Sequence, residues 1–214
     1  MYIFQPDRYL LEKQIQDVST FISGKVLDVG AGEVNRYSKY FTCTEYIRMD
    51  PRHTEKADLV GSADNIPLPD NSVDSIVCTQ VFEHLSDPWK SSQELFRVLK
   101  PKGCALITVP QMNELHEEPY DFYRYTKFGL QSMFEKAGFT VVRVDQRGGL
   151  FSMLWQIYIR YCIDRFSLYQ RPFIGKVFGY ASAFFGKLSM FLDGFDGSVA
   201  NRKHTIGWCI IIQK

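Results

Sequence analysis

Val26-Leu27-Asp28-Val29-Gly30-Ala31-Gly32 is the stretch from which the rest of the chain is read. A short apolar run ending in two glycines one residue apart is a buried strand feeding a tight turn. Open, doubly wound α/β sheets use such a turn to bring backbone amides against a ligand. The glycine spacing alone is a weak signal, so the flanking residues carry the weight. A nicotinamide-type fingerprint would place a third glycine at position 35, where this chain has Asn35. Asp28 lies two residues before the first glycine, where a carboxylate would repel a pyrophosphate and attract an ammonium group. The turn is therefore read as holding a ligand with a cationic amino group and no phosphate.

Moving outward, apolar runs alternate with helical patterns. Strands are expected over 25–29, 46–49, 59–60, 73–78, 104–109 and 139–144, with turn residues such as Pro101-Lys102-Gly103 before the fifth. Helices are expected over 11–22, 89–99 and 128–137, the last stopped by Gly138. Strands alternating with helices mean a mostly parallel sheet covered on both faces. Asp50 closes the second strand, where a carboxylate can accept hydrogen bonds from both hydroxyls of a ribose. Asp64, in the loop Gly61-Ser62-Ala63-Asp64-Asn65, follows the third and suits an adenine amino group. Three carboxylates on one sheet edge describe a cationic ligand that is part amino acid and part adenosine. S-adenosylmethionine has all these features.

With these residues in place, the chain resembles the class I S-adenosylmethionine-dependent methyltransferases, in the branch similar to the ubiquinone and menaquinone biosynthesis methyltransferases. The resemblance rests on VLDVGAG at 26–32, MDP at 49–51, DNIPLPDNSVDSIVCTQVFEH at 64–84 and ELFRVLKPKGCALITVP at 94–110. It implies a Rossmann-like, doubly wound, mostly parallel seven-stranded sheet with an antiparallel last strand over 204–213 and a helical insertion before it. It also implies that Asp28, Gly30, Ala31 and Gly32 hold the methionine part, Asp50 the ribose, and Asp64 with Asn65 the adenine, while Gln80 flanks the transfer centre. Where the family often has a further glycine this chain has Val34, which loosens the expected contact to the cofactor carboxylate. The whole of 1–214 is expected to be a single methyltransferase domain: an N-terminal helix over 1–23, a cofactor-binding core over 24–149, the insertion or lid over 150–200, and the last strand.

A hydroxyl acceptor requires a general base, and the candidates follow strands four and five. They are Glu83, His116 and Asp121, the last two within HEEPYDFYRYT. Each has a plainer reading. Asp121 can pair with Arg124 at spacing three, His116 can be a surface histidine, His84 suits a hydrogen bond at the entry of the next helix, and Cys78 suits a buried small hydrophobe. The chain has no aromatic Pro-Pro motif after strand four, which disfavours amino methylation of adenine or glutamine, and no Pro-Cys nucleophile for C5 pyrimidine chemistry. Expected, then, is methylation at oxygen of a small-molecule, glycan or lipid-linked acceptor. A non-catalytic binding or scaffold protein of the same fold stands as the alternative, because the cofactor residues report binding and not turnover.

Composition bounds the remaining possibilities. The 214 residues are 45% hydrophobic and 23% charged with a formal net charge of +1, so the sum nominates no nucleic-acid partner. Five scattered cysteines without a CxxC pair argue against a zinc site and for reduced thiols, and no metal is expected. The N-terminus lacks the pattern of a secretory signal, and no uncharged apolar run reaches the ~18 residues of a membrane span, so a cytoplasmic location is expected. Charge is nevertheless uneven: residues 1–150 hold 17 basic and 21 acidic residues, and 151–214 hold 8 and 3. The segment 150–195 also carries 13 aromatic residues. In its first helical pattern Ser152, Gln156, Arg160 and Asp164 form a polar stripe opposite Phe151, Leu154, Trp155, Tyr158 and Tyr161. A second pattern runs over 177–192. A lid packed on the core is the economical reading of 151–195, with peripheral contact at the inner face of a membrane as the other.

Overall fold

The computed structural model describes residues 3–52 and 56–214. Its elements follow the alternation expected from the sequence: α1 (Pro6–Asp17), β1 (Ser23–Val29), β2 (Thr42–Asp50), β3 (Leu59–Val60), β4 (Val73–Thr79), α2 (Pro88–Val98), β5 (Leu99–Pro110), α3 (Lys127–Lys136), β6 (Thr140–Arg147), α4 (Leu150–Arg165), α5 (Pro172–Phe195), α6 (Val199–Arg202) and β7 (Gly207–Gln213). The seven strands form one sheet in the order β3-β2-β1-β4-β5-β7-β6. β1 pairs in parallel with both β2 and β4, so the strand order reverses beside β1, and the carboxyl ends of β1 and β4 flank the crevice where such sheets bind ligands. β7 runs antiparallel to β5: Lys102 N donates to Lys214 O and Lys214 N to Gly103 O at one end, while Gln111 N donates to Ile206 O at the other.

The chain groups into two compact units. The first comprises 15–110, 116–145 and 208–214. Its central strands are buried on both faces, as Val26, Leu27, Ile76, Val77, Leu106 and Ile107 show, which is why they read as continuous apolar runs rather than alternating ones. Leu95 and Val98 of α2, with Leu130 and Phe134 of α3, pack into the same apolar cluster as Leu27, Ile76, Ile107 and Ile210. Asp87 caps α2 by accepting from Lys90 N (3.0 Å), Pro88 opens its first turn, and Thr126 caps α3.

β5 departs from expectation. It starts at Leu99, and Pro101-Lys102-Gly103 lies inside it instead of before it. Val73 pairs with Leu99 but Ser75 with Cys104, so the additional residues are taken up as a bulge with Lys102 at φ 67°.

The second unit comprises the chain up to Gln14, 111–115 and 146–207. The first helical pattern is α4, and the first half of its polar stripe is turned inward: Ser152 and Gln156 are buried, whereas Asp164 at the far end of the stripe is exposed, as are Leu154, Tyr158 and Tyr161. Gln156 accepts from Asp7 N (3.2 Å), across 149 positions, while Ser152 Oγ is buried with no hydrogen-bond partner among the described residues. At the start of α4, Asp193 of α5 accepts from Gly149, Phe151 and Ser152 N–H groups at 2.9–3.0 Å, completing the helix end across elements. Arg147, fully buried, is held by Asp7 (2.8 Å) and by Gln14 (3.0 Å).

Candidate functional site

The glycine turn stands at the end of β1 with Gly30 at φ +72° and Gly32 at φ +58°, a region that side chains other than glycine's enter at a cost. A Cβ on Gly30 would collide with Val81, while one on Gly32 would meet nothing within 4 Å. Gly30 and Ala31 donate to Met49 O at 2.9 and 3.0 Å, and Arg48 Nη2 donates to Gly32 O at 2.7 Å, so the turn is anchored from β2. Asp28 is buried just inside the turn and accepts from Tyr46 Oη (2.8 Å). Burial pushes its pKa up to about 7, against the Tyr46 hydrogen bond and the Arg48 charge, which lower it. A buried carboxylate so poorly compensated has most to gain from an arriving ammonium group.

Asp50 ends β2, buried, with Oδ2 accepting from Gly32 N (3.0 Å) and Oδ1 accepting from Arg52 N and Nε (3.0 Å each). Burial opposes ionisation, but the Arg52 hydrogen bonds and charge and the Gly32 amide together hold its pKa below the usual carboxylate value. The Arg52 side chain is 67% exposed. Asp64 accepts from Ser62 Oγ and lies 3.6 Å from Lys90 Nζ, with Asn65 exposed beside it. Gln80 follows β4 at φ 55°, its amide N–H on Thr108 O (2.9 Å) and Nε2 on Thr108 Oγ1 (3.1 Å). All eight proposed cofactor residues thus lie in the sheet unit, on or just after β1, β2, β3 and β4. The buried carboxylate at the turn and the space above Gly32 fit a ligand with an amino-acid end.

The base candidates converge. Glu83 is fully buried in a single helical turn after β4, and its carbonyl accepts from Phe122 and Tyr123 N–H groups, tying that turn to the loop after β5. His84 Nδ1 donates to Tyr120 O (2.7 Å), which turns Nε2 toward Glu83 Oε1 (3.9 Å). The His84 and His116 rings meet edge to face at 4.9 Å. His116 Nδ1 lies 3.4 Å from Asp121 Oδ2, and the His116 N–H donates to the same oxygen (3.0 Å). Arg124 grips both oxygens of Asp121 at 2.6 and 2.7 Å, and its hydrogen bonds bring the Asp121 pKa down to about 2 although burial opposes this. Asp121 is therefore an anion held for its neighbours. One donor atom each from Glu83, His84 and His116 lies within 4.8 Å of the others, a set able to handle a proton and of a type that divalent metals accept.

Several partners escaped the sequence reading. Tyr46, Arg48 and Asp50 alternate along β2 and so share a face, a signal that period-2 counting could have used. Arg48 stands opposite Asp28 in the parallel register, which no motif announces. His84 was read as a helix-entry residue, but Asp87 does that work and His84 serves the loop after β5.

Residues 27–107 match the family described as a methyltransferase domain. A probable S-adenosylmethionine-dependent methyltransferase of Mycolicibacterium smegmatis is 36% identical over 102 residues, taking in 45% of this chain and 37% of that protein. The chain therefore matches little more than a third of the length of that relative. Among solved structures, a putative methyltransferase of Bacillus halodurans superposes with a TM-score of 0.61 at 14% identity over 95% of this chain and 98% of that one. The cyclase SpnF superposes at 0.62 with 18% identity over 97% and 80%. At these identities the structures share the fold, and a cyclase among them shows that the fold alone does not fix the reaction.

Proposed function

We propose, from the premise that this chain carries a class I S-adenosylmethionine-dependent methyltransferase domain, that it methylates an oxygen atom of a small-molecule, glycan or lipid-linked acceptor. The cofactor, when bound, supplies an electrophilic methyl group, so the chain's tasks are to orient the two reactants and to take a proton from the acceptor hydroxyl. Asp28 receives the cofactor's ammonium group, the Gly30–Gly32 turn admits its backbone, Asp50 takes the ribose, and Asp64 with Asn65 takes the adenine. Gln80, fixed by Thr108, borders the transfer centre.

The observation that carries the choice of oxygen is the cluster of Glu83, His84 and His116 after β4 and β5. Nothing in methylation of a thiolate or an unprotonated amine would require it. Within the cluster His116 is the base and Asp121 a positioning residue, since Arg124 and the His116 amide already engage both carboxylate oxygens. His116→Ala should cut kcat about 100-fold or more with affinity for S-adenosylhomocysteine unchanged. Asp121→Asn keeps the shape but not the anion, and should lower kcat less and shift the acid limb of the pH profile. The readout is transfer of labelled methyl groups to metabolite and glycolipid extracts, with calorimetry for the product. Full turnover in His116→Ala would remove His116 from the role, and products methylated at nitrogen or carbon would overturn the oxygen reading.

A further inference from the structure

α5 is built inside out. The residues it buries are small, Gly175, Gly179, Ser182, Gly186 and Ser189, at alternating spacings of four and three that hold one face of a helix. At Gly186 a Cβ would stand 2.7 Å from the Phe4 ring, so the small face is needed for close approach. The large apolar residues lie on the opposite side: Phe173 is 80% exposed, Tyr180 70%, Phe184 65%, Phe191 67% and Phe195 83%. α4, in the same unit, shows the inversion in part: Ser152 and Gln156 lie inward beside Met153, Ile159, Cys162 and Ile163, while Leu154, Tyr158 and Tyr161 face outward. Two neighbouring helices with this arrangement leave an apolar surface well beyond the scattered exposure usual for a protein in water. Small residues inward and aromatic residues outward are how helices pack when their surroundings are lipid.

The charges on this face select the occupant. Lys176 and Lys187, both exposed, are 11 residues apart, so they share one side of α5 about 16 Å from each other. Both line a groove of about 570 Å³ with Phe4, Pro172, Tyr180 and Ala183. The acidic side chain within α5, Asp193, is engaged by the three amides at the start of α4. The exposed carboxylate of α4, Asp164, lies 3.9 Å from Arg160 Nη2, so a second copy set against this face would bring the α5 lysines toward lysines with no carboxylate on that helix to receive them, whereas phosphate headgroups would neutralise them. Among the described residues no helix is long and apolar enough to cross a membrane, so the face rests on a bilayer without spanning it.

We propose that the outer face of α4 and α5 is a monotopic attachment surface for an anionic phospholipid bilayer, with Lys176 and Lys187 each at a headgroup phosphate and the aromatic rows in the acyl boundary. The proposal rests on the helical unit alone and holds whether or not the sheet unit transfers methyl groups.

The test is co-sedimentation of the full chain with vesicles of phosphatidylcholine, with and without phosphatidylglycerol, together with sedimentation velocity in the absence of lipid. Expected is binding to the anionic vesicles that falls with added salt, drops at least tenfold in Lys176→Glu/Lys187→Glu, and is lost in Phe184→Ser/Phe191→Ser. Circular dichroism and S-adenosylhomocysteine binding should be unchanged in both variants, which separates loss of the surface from loss of the fold. Absence of vesicle binding at low ionic strength would overturn the proposal. So would a stable dimer that Phe184→Ser/Phe191→Ser dissociates, since the face would then belong to a second copy.

Discussion

Asp28, buried at the end of β1 beside the glycine turn, takes its chemistry from what surrounds it. Its elevated pKa comes from burial, with Tyr46 and Arg48 opposing, and those partners arrive from β2 through a parallel register. A sequence pattern reports neighbours along a strand and is silent about neighbours across it. The sign of the pH effect follows from linkage. With a pKa of 3.8 in the unfolded chain and about 7 in the folded one, Asp28 takes up a proton on folding throughout that interval. Its stabilising share is complete below pH 3.8 and is lost as pH rises through 7, a difference on the order of 4 kcal/mol at most. Ligand binding runs the other way, because only the ionised carboxylate attracts an ammonium group. We therefore expect affinity for S-adenosylhomocysteine to fall up to about tenfold per unit as pH drops below 7. Asp28→Asn should raise the melting temperature of the ligand-free protein at pH 8, leave it unchanged near pH 4, and weaken product binding by about 2 kcal/mol or more. Calorimetry and thermal scans across this pH range measure all three, and an affinity independent of pH in the unmodified chain would show that Asp28 does not meet the amine.

At the scale of elements, the motif ELFRVLKPKG was read for its place in the family pattern, and the structure gives its arginine a mechanical task. Arg97, on α2, donates to Glu94, to Asp70 and to the carbonyls of Ile66 and Leu68, each at 2.8 Å, while Glu94 accepts from Ile66 N at 3.0 Å. The loop that begins just after Asp64 and Asn65 is thus fastened to α2 by one forked side chain. Arg97→Ala should speed amide exchange over 62–70 and weaken cofactor binding several-fold, and Arg97→Lys should restore little, because an ammonium cannot serve three directions in a plane. Full protection of the loop in Arg97→Ala would assign its order to Pro67 and Pro69 instead. The helices divide by how faithfully pattern reports burial. α2 and α3 bury their apolar stripes, as an amphipathic reading assumes. α4 does so in part, burying Met153, Ile159, Cys162 and Ile163 but leaving Leu154, Tyr158 and Tyr161 outside, and α5 buries only small residues and begins at Pro172, ahead of the expected start at 177, with Gly175 already a packing position.

The whole molecule divides its stability unequally, for a reason visible in what each unit buries. In the sheet unit the interior is apolar on both faces of the central strands. In the helical unit a smaller apolar cluster of Ile3, Ile159, Cys162, Ile163 and Leu168 is accompanied by buried Gln5, Arg147, Ser152, Gln156, Ser182 and Asn201, while most large aromatics of α4 and α5 face outward. Apolar burial contributes roughly 25 cal/mol per Å², and hydrogen-bonded polar burial contributes much less net, so the helical unit draws less stability from the same number of residues in water. Its order leans more on specific contacts, above all the pair of buried Arg147 with Asp7, which ties the last residue of β6 to the first turn of α1. This pair was invisible in the sequence, since its members are 140 positions apart in an uneventful pattern. Removing one partner of a buried pair strands the other and costs about 3 to 5 kcal/mol. Arg147→Met, which keeps the apolar stem and leaves Asp7 at a partly exposed edge, should fall at the lower end of that range. In hydrogen exchange, amides of α4 and α5 should open at lower free energy than those of β1, β4 and β5 in the unmodified chain. Arg147→Met should widen the gap by accelerating exchange over 150–205 and leaving 26–29, 76–79 and 105–109 unaltered. If exchange rises equally in both units, the chain unfolds as one cooperative body. The aromatic face of α5 would then share fully in the stability of the sheet, and the unequal division argued from burial would be wrong.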